Sequence, residues 1–196
     1  MSTIKVAITG NIGSGKSTFA DYLSSKGYPV LNADSISKEI LSTDEDVKAQ
    51  VITEFGTESF AGGKLNNKFI ADKVFSVPEN LDKLNSILHP KVLYIIDSLI
   101  ESKYKSNEVI FVEAALIYEV GIEKSFDYVV LIIADYEIRL QRSISGNIFT
   151  EEEFEARDRN QIPQEEKEKR ADFTFRNNGS EEDLFNKADL LLLILN

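Results

Sequence analysis

The chain has no cysteine, which excludes disulfides, thiolate zinc centres and cysteine nucleophiles. It is short of basic residues. Against 33 Asp and Glu stand 22 Lys and Arg, giving a net charge of −11 and a pI near 4.7. A surface of that sign repels nucleic-acid backbones, whose recognition needs clustered Lys and Arg. No nucleic-acid partner is expected, and an anionic substrate must be held by a local basic pocket. Long hydrophobic runs are missing as well. The longest, LLLLIL at residues 190–195, falls far below the roughly 20 residues that span a bilayer. The opening MSTIKVAITG lacks the apolar core of a signal peptide. Neither membrane association nor secretion is expected, and a cytoplasmic location is the default. Repeats, low-complexity tracts and linkers are absent too.

What is present is an ordinary globular composition, 42% hydrophobic over 196 residues, consistent with one domain carrying an insertion. TIKVAIT (residues 3–9) is a short β-branched run, the pattern of a buried parallel strand. A helix from Lys16, closed by Gly27, and a second strand at YPVLNAD (residues 28–34) complete a βαβ opening. Residues 35–106 are helical in period, with AGGKLNN as a turn between two helical stretches. Further strands are expected at residues 108–116, 126–134 and 172–176. Residues 150–171 start on a capping box, Thr150 to Glu153, and are charged almost throughout: a solvated helix or a mobile lid. The tail from Ser180 reads as a last helix. Alternating strands and helices predict an α/β fold with a five-stranded parallel sheet flanked by helices. The predicted division is a core (residues 1–34, 107–144 and 172–196), a helical acceptor-binding region at about 35–106 and a lid at about 145–171.

Gly10-Asn11-Ile12-Gly13-Ser14-Gly15-Lys16-Ser17 satisfies G-x-x-x-x-G-K-[ST]. Glycines let the backbone curl so that successive N–H groups face phosphate oxygens, and the helix that follows adds its dipole. Lys16 is placed to bridge the β- and γ-phosphates, and the Ser17 hydroxyl to ligate Mg²⁺. The motif sits between a strand and a helix, as the mechanism demands, so a nucleoside triphosphate with Mg²⁺ is the expected ligand. A GTPase is the natural competitor. The text Asn186-Lys187-Ala188-Asp189 matches N-K-x-D, but it lies inside the last predicted helix and no D-x-x-G occurs. No LSGGQ-like stretch points to a transporter ATPase. A small phosphotransferase is left.

TGNIGSGKST, VLNAD, LHP (residues 88–90), EAALIYE (residues 113–119) and NQIPQEEKEKRADFTFRNNG (residues 160–179), in this order, resemble the dephospho-CoA kinase family over nearly the whole chain. The resemblance implies a P-loop fold and ATP-dependent phosphorylation of the ribose 3′-hydroxyl of dephospho-CoA, yielding CoA and ADP. Small-molecule partners and a monomer or weak homo-oligomer are expected. It implies catalytic roles for Lys16, Asp34 and Arg142, with Arg142 reaching the transferring phosphoryl. Residues 13–18 (Gly13, Ser14, Gly15, Lys16, Ser17, Thr18), Asn177 and Gly179 are implied for ATP, Ser17 for the metal, and Asp34, His89, Leu116, Tyr118, Glu119 and Arg157 for the acceptor. Several have a plainer alternative. Asp34, read as the end of the second strand, can orient a hydroxyl or cap a helix. His89, the only histidine, can contact substrate or start a helix with Pro90 at its first position. Leu116 and Tyr118 can line a pocket or fill a core, and Arg142 can be a solvated helix residue. Glu113 can hold Mg²⁺ through water.

The chain departs from the family pattern at Asn32, where a first carboxylate is usual, and at Ser145-Gly146-Asn147, where a second basic residue is expected. Lid chemistry then falls to Arg157, Arg159 or Lys167. Arg176 replaces an acidic residue. A nucleoside or nucleoside-monophosphate kinase, or a nucleotide-binding regulator without transfer activity, is the alternative reading.

Overall fold

A computed structural model describes residues 3–146 and 149–195. Asn147, in the stretch where a basic residue was expected, lies outside the described residues. In chain order the elements are β1 (Ile4–Thr9), α1 (Lys16–Ser25), β2 (Val30–Asn32), α2 (Ala33–Thr43), α3 (Glu45–Phe55), β3 (Phe60–Ala61), β4 (Lys64–Leu65), α4 (Asn67–Ser76) and α5 (Pro78–Leu99). They continue as β5 (Val109–Glu113), β6 (Tyr128–Ile133), α6 (Tyr136–Ser145), α7 (Glu151–Arg159), α8 (Gln164–Glu168), β7 (Phe173–Arg176) and α9 (Glu181–Leu195). The chain forms two compact units, residues 1–32 with 103–196, and residues 33–102. The stretch expected as a lid falls within the first. No described helix is long and apolar enough to cross a membrane.

The first unit is built on a five-stranded parallel sheet of order β2-β5-β1-β6-β7. Its strands are apolar on both sides because both faces are covered. On one face Val6, Ile8, Phe111, Val130 and Ile132 pack against Phe19 and Leu23 of α1 and Leu184, Ala188 and Leu191 of α9. Tyr22 and Phe185 stack at 4.3 Å along the α1–α9 seam. Asp189 accepts the Tyr22 hydroxyl at 2.8 Å and pairs with Lys26 at 3.1 Å. The N-K-x-D text thus sits within α9, where its aspartate joins two helices. The strand order switches sides at β1, and ligands of such sheets bind in the crevice at the carboxyl ends of the strands around that point. The glycine loop leaves β1 there.

The second unit is helical. An i, i+4 stripe on α5 (Leu84, Leu88, Val92, Ile96) is buried with Ile40 of α2, Val47, Val51 and Phe55 of α3, and Ile70 and Val74 of α4. AGGKLNN forms more than a turn: Gly62 and Gly63, at φ 58° and 77°, connect the hairpin of β3 and β4. Two expectations are corrected here. Strand β2 ends at Asn32, so Asp34 lies in the first turn of α2 and is neither the end of the strand nor an N-cap. The three-residue edge strand is shorter than its apolar run, because the helical pattern takes over at Ala33. His89-Pro90 starts no helix; it lies inside the 22-residue α5. The proline removes one backbone donor, and the apolar stripe on both sides keeps the helix continuous through it.

Burial holds the pKa of His89 below its usual 6.5. The unfolded chain therefore takes up this proton first as pH falls, so this part of the stability is present above about pH 6.5 and is lost below it. Asp44, whose pKa is lowered from 3.8 mainly by Lys91, acts only in a more acidic range. The thermal midpoint should drop between about pH 7.5 and about pH 5.5, and His89→Gln should flatten that interval while leaving the transition below about pH 4 in place.

Candidate active site

The glycine loop turns where only glycine fits. Gly13 has φ 75°, and a Cβ there would lie 2.4 Å from the Arg139 carbonyl oxygen. Gly15 has φ 93° and hands over directly to α1. Beside the loop lies a cavity of about 500 Å³, within the usual range for a small-molecule site. Residues 13–18 form one wall, and Arg142, Phe149, Asn177, Gly179 and Leu184 contribute to the rest.

Glu113, the last residue of β5, stands behind the loop and is 6% exposed. A buried carboxylate is costly unless donors surround it. Ser17 Oγ donates to its Oε1 at 2.5 Å, Asn32 Nδ2 donates to its Oε2 at 2.8 Å, and Lys16 Nζ lies 3.5 Å from Oε1. The lysine and serine of the motif therefore meet one carboxylate contributed by a neighbouring strand.

Segments from the far end of the chain hold the loop. Gln161 Oε1 accepts the Ile12 N–H at 2.8 Å, and Asn11 Nδ2 donates to the Ile162 carbonyl at 3.2 Å. Asn177 Nδ2 donates to the Ser14 carbonyl at 2.8 Å, and the Asn177 carbonyl accepts from Arg142 Nη1 at 3.0 Å. Arg142 thus lines the cavity with one guanidinium nitrogen spent on the loop after β7. Arg139, one turn earlier, is 4% exposed; it donates to the carbonyls of Ala134 and Ile12 and pairs with Asp158 at 2.5 Å. Sequence reasoning passed over Arg139 because the buried face of α6 is Arg139 and Ser143, which is no apolar stripe.

The lid stretch is not simply solvated. The Thr150–Glu153 capping box forms, and Phe154 is fully buried on α7. Lys167 of α8 is also fully buried, 2.7 Å from Glu119 Oε1, an ion pair lacking hydrogen-bond alignment. Burial pushes the Lys167 pKa down against the pull of Glu119. The same Glu119 oxygen accepts the Ile162 N–H at 2.9 Å. Lys167 is therefore enclosed as a structural cation, and Glu119 ties α8 and the segment before it to the stretch after β5. Gln164 bonds both the N–H and the carbonyl of Ala134, beyond the end of β6. Tyr118 is buried beneath Arg170, 4.5 Å from the ring centroid, and burial pushes its phenol pKa up to about 12. Leu116 is half-buried. None of Leu116, Tyr118 and Glu119 lines the cavity. Arg157 is exposed and stacks at 4.4 Å on Phe149, which does line it. Arg176 pairs with Asp135 at 2.9 Å on the surface. Asp34 and His89 belong to the second unit.

Strand order, glycine loop and the carboxylate beside Lys16 and Ser17 define a P-loop kinase fold. A family model described as dephospho-CoA kinase matches residues 4–183. A dephospho-CoA kinase of Fusobacterium nucleatum is 38% identical over 190 residues, covering 96% of this chain and 97% of its own length. The crystal structure of TT1252 from Thermus thermophilus superposes with a TM-score of 0.85 at 36% identity, covering 100% of both chains. A dephospho-CoA kinase from Campylobacter jejuni does so with 0.70 at 28% identity, covering 96% of this chain and 95% of its own. The chain belongs to the dephospho-CoA kinase family.

Removing one partner of the Lys167–Glu119 pair strands the other in a buried site. Lys167→Met should cost about 3–5 kcal/mol in urea unfolding, and adding Glu119→Gln should recover much of that loss.

Proposed function

We propose that the protein transfers the γ-phosphoryl of ATP to the ribose 3′-hydroxyl of dephospho-CoA, releasing CoA and ADP in the last step of CoA formation. The observation that carries this reading is family membership over nearly the whole chain, joined to a cavity of about 500 Å³ that the glycine loop, Lys16 and Ser17 line. In this reading the enzyme is cytoplasmic and acts on small molecules as a monomer or weak homo-oligomer.

The loop N–H groups and the α1 N-terminus bind the phosphates, and Lys16 neutralises charge on the transferring group. Arg142, tied to the Asn177 carbonyl at the cavity lining, stabilises the charge on the transferring phosphoryl, and Gly179 lines the same cavity on the nucleotide side of this reading. Arg157 stacks on Phe149, which lines the cavity, and in this reading it supplies the lid cation. Ser17, backed by Glu113, fits a hard cation through its hydroxyl oxygen. Among the described residues no cluster of three or more acidic or histidine side chains offers a cage of its own, so the remaining oxygens would come from the nucleotide and water. When bound, Mg²⁺ supplies neutralisation of phosphate charge. On the resemblance, Asp34 orients the acceptor hydroxyl and accepts its proton.

ADP release by the purified protein with ATP and magnesium should rise strongly when dephospho-CoA is added. Lys16→Ala should lower that rate at least about a hundredfold, and Asp34→Asn by roughly 10²- to 10⁴-fold, with ATP binding kept in the latter. ATP binding without stimulation by dephospho-CoA would overturn the acceptor assignment, and turnover on a nucleoside or nucleoside monophosphate would replace it.

A further inference from the structure

The Glu113 carboxylate is gripped at both oxygens, and the two grips differ in kind. Ser17 and Lys16, at Oε1, belong to the phosphate loop itself. Asn32, at Oε2, belongs to the end of β2 and lies outside the loop. A carboxylate only accepts, so the amide nitrogen of Asn32 must face it. Strands β2 and β5 pair in parallel with Asn32 opposite Glu113, which sets this contact by register. With its proton committed to Glu113 at 2.5 Å, the Ser17 hydroxyl has its lone pairs directed away from the carboxylate.

We propose that Asn32 is a positioning residue. Its amide fixes the plane of the Glu113 carboxylate, and Glu113 in turn fixes the Ser17 hydroxyl as an oxygen donor for the cation that accompanies ATP. Glu113 has a second effect, of opposite sign, on nucleotide alone. Its buried negative charge stands beside the phosphate loop and competes for Lys16, so metal-free ATP is disfavoured and the cation relieves the repulsion. The three residues therefore couple ATP binding to its cation, and a neutral amide at position 32 serves this better than a second carboxylate would, because it donates to Glu113 without repelling it.

The test is the ATP dissociation constant, measured by titration calorimetry with magnesium and again with EDTA, alongside the thermal midpoint of each variant. The readout is the ratio of the two constants. In Asn32→Ala that ratio should fall about tenfold, mostly through weaker binding with magnesium, while the thermal midpoint changes little. In Glu113→Gln metal-free ATP should bind about tenfold more tightly and the ratio should approach one. Asn32→Ser, whose hydroxyl is too short to reach Oε2, should follow Asn32→Ala and serves if the alanine variant unfolds. An unchanged ratio in folded Asn32 variants overturns the positioning role. A Glu113→Gln variant with the ratio of the parent protein overturns the coupling itself. The inference rests on nucleotide binding at the loop and not on the acceptor, so a failed dephospho-CoA assay with these ratios intact would remove only the acceptor reading.

Discussion

A loop that turns its N–H groups towards an anion has few hydrogen bonds left to hold itself together, and the first unit is organised around that shortage. Gln161 takes the Ile12 N–H, Asn177 donates to the Ser14 carbonyl, and Arg139 donates to the Ile12 carbonyl. These partners come from the lid stretch, the loop after β7 and helix α6. The segments meet because parallel strands deliver every following loop to the same end of the sheet. The phosphate site is thus preorganised by residues more than a hundred positions away in sequence.

The same end of the sheet carries the buried charges. Glu113 lies behind the loop, Arg139 pairs with Asp158, and Lys167 pairs with Glu119. Each is nearly or fully enclosed on at least one side, where an unpaired charge is strongly unfavourable, so each pair demands its partner in place. Two of the three tie the lid stretch to α6 and to the segment following β5. On this strongly acidic chain Lys16 and Arg142 stand on the cavity walls, and Arg157 stacks on Phe149, another lining residue.

Much of this was legible from residue order. The five strands followed from β-branched runs bounded by glycine or helical pattern. The Thr150–Glu153 capping box is a local reciprocal bond and formed as read. The N-K-x-D text was correctly assigned to a helix, because its surroundings had helical period. Other expectations failed where local signals compete. Pro90 resembles a helix start, but the leucine and valine stripe on either side of it outweighs one missing hydrogen bond. Asp34 belongs to α2 because an edge strand of three residues ends early. The ion pair of Glu119 with Lys167 was not legible at all, because the two lie 48 positions apart and no periodicity links them.

By itself the sequence determined the fold class, the phosphate loop and the family, since each rests on local pattern: strand, glycine spacing, helix, and an ordered set of short motifs. Tertiary structure alone decided which charged residues face the cavity and which are sealed as anchors. That outcome depends on whether a charge meets an opposite partner once buried. Asn32 shows the difference. In the sequence it is a departure from a pattern; in the fold, the register of β2 on β5 makes it the donor that holds Glu113.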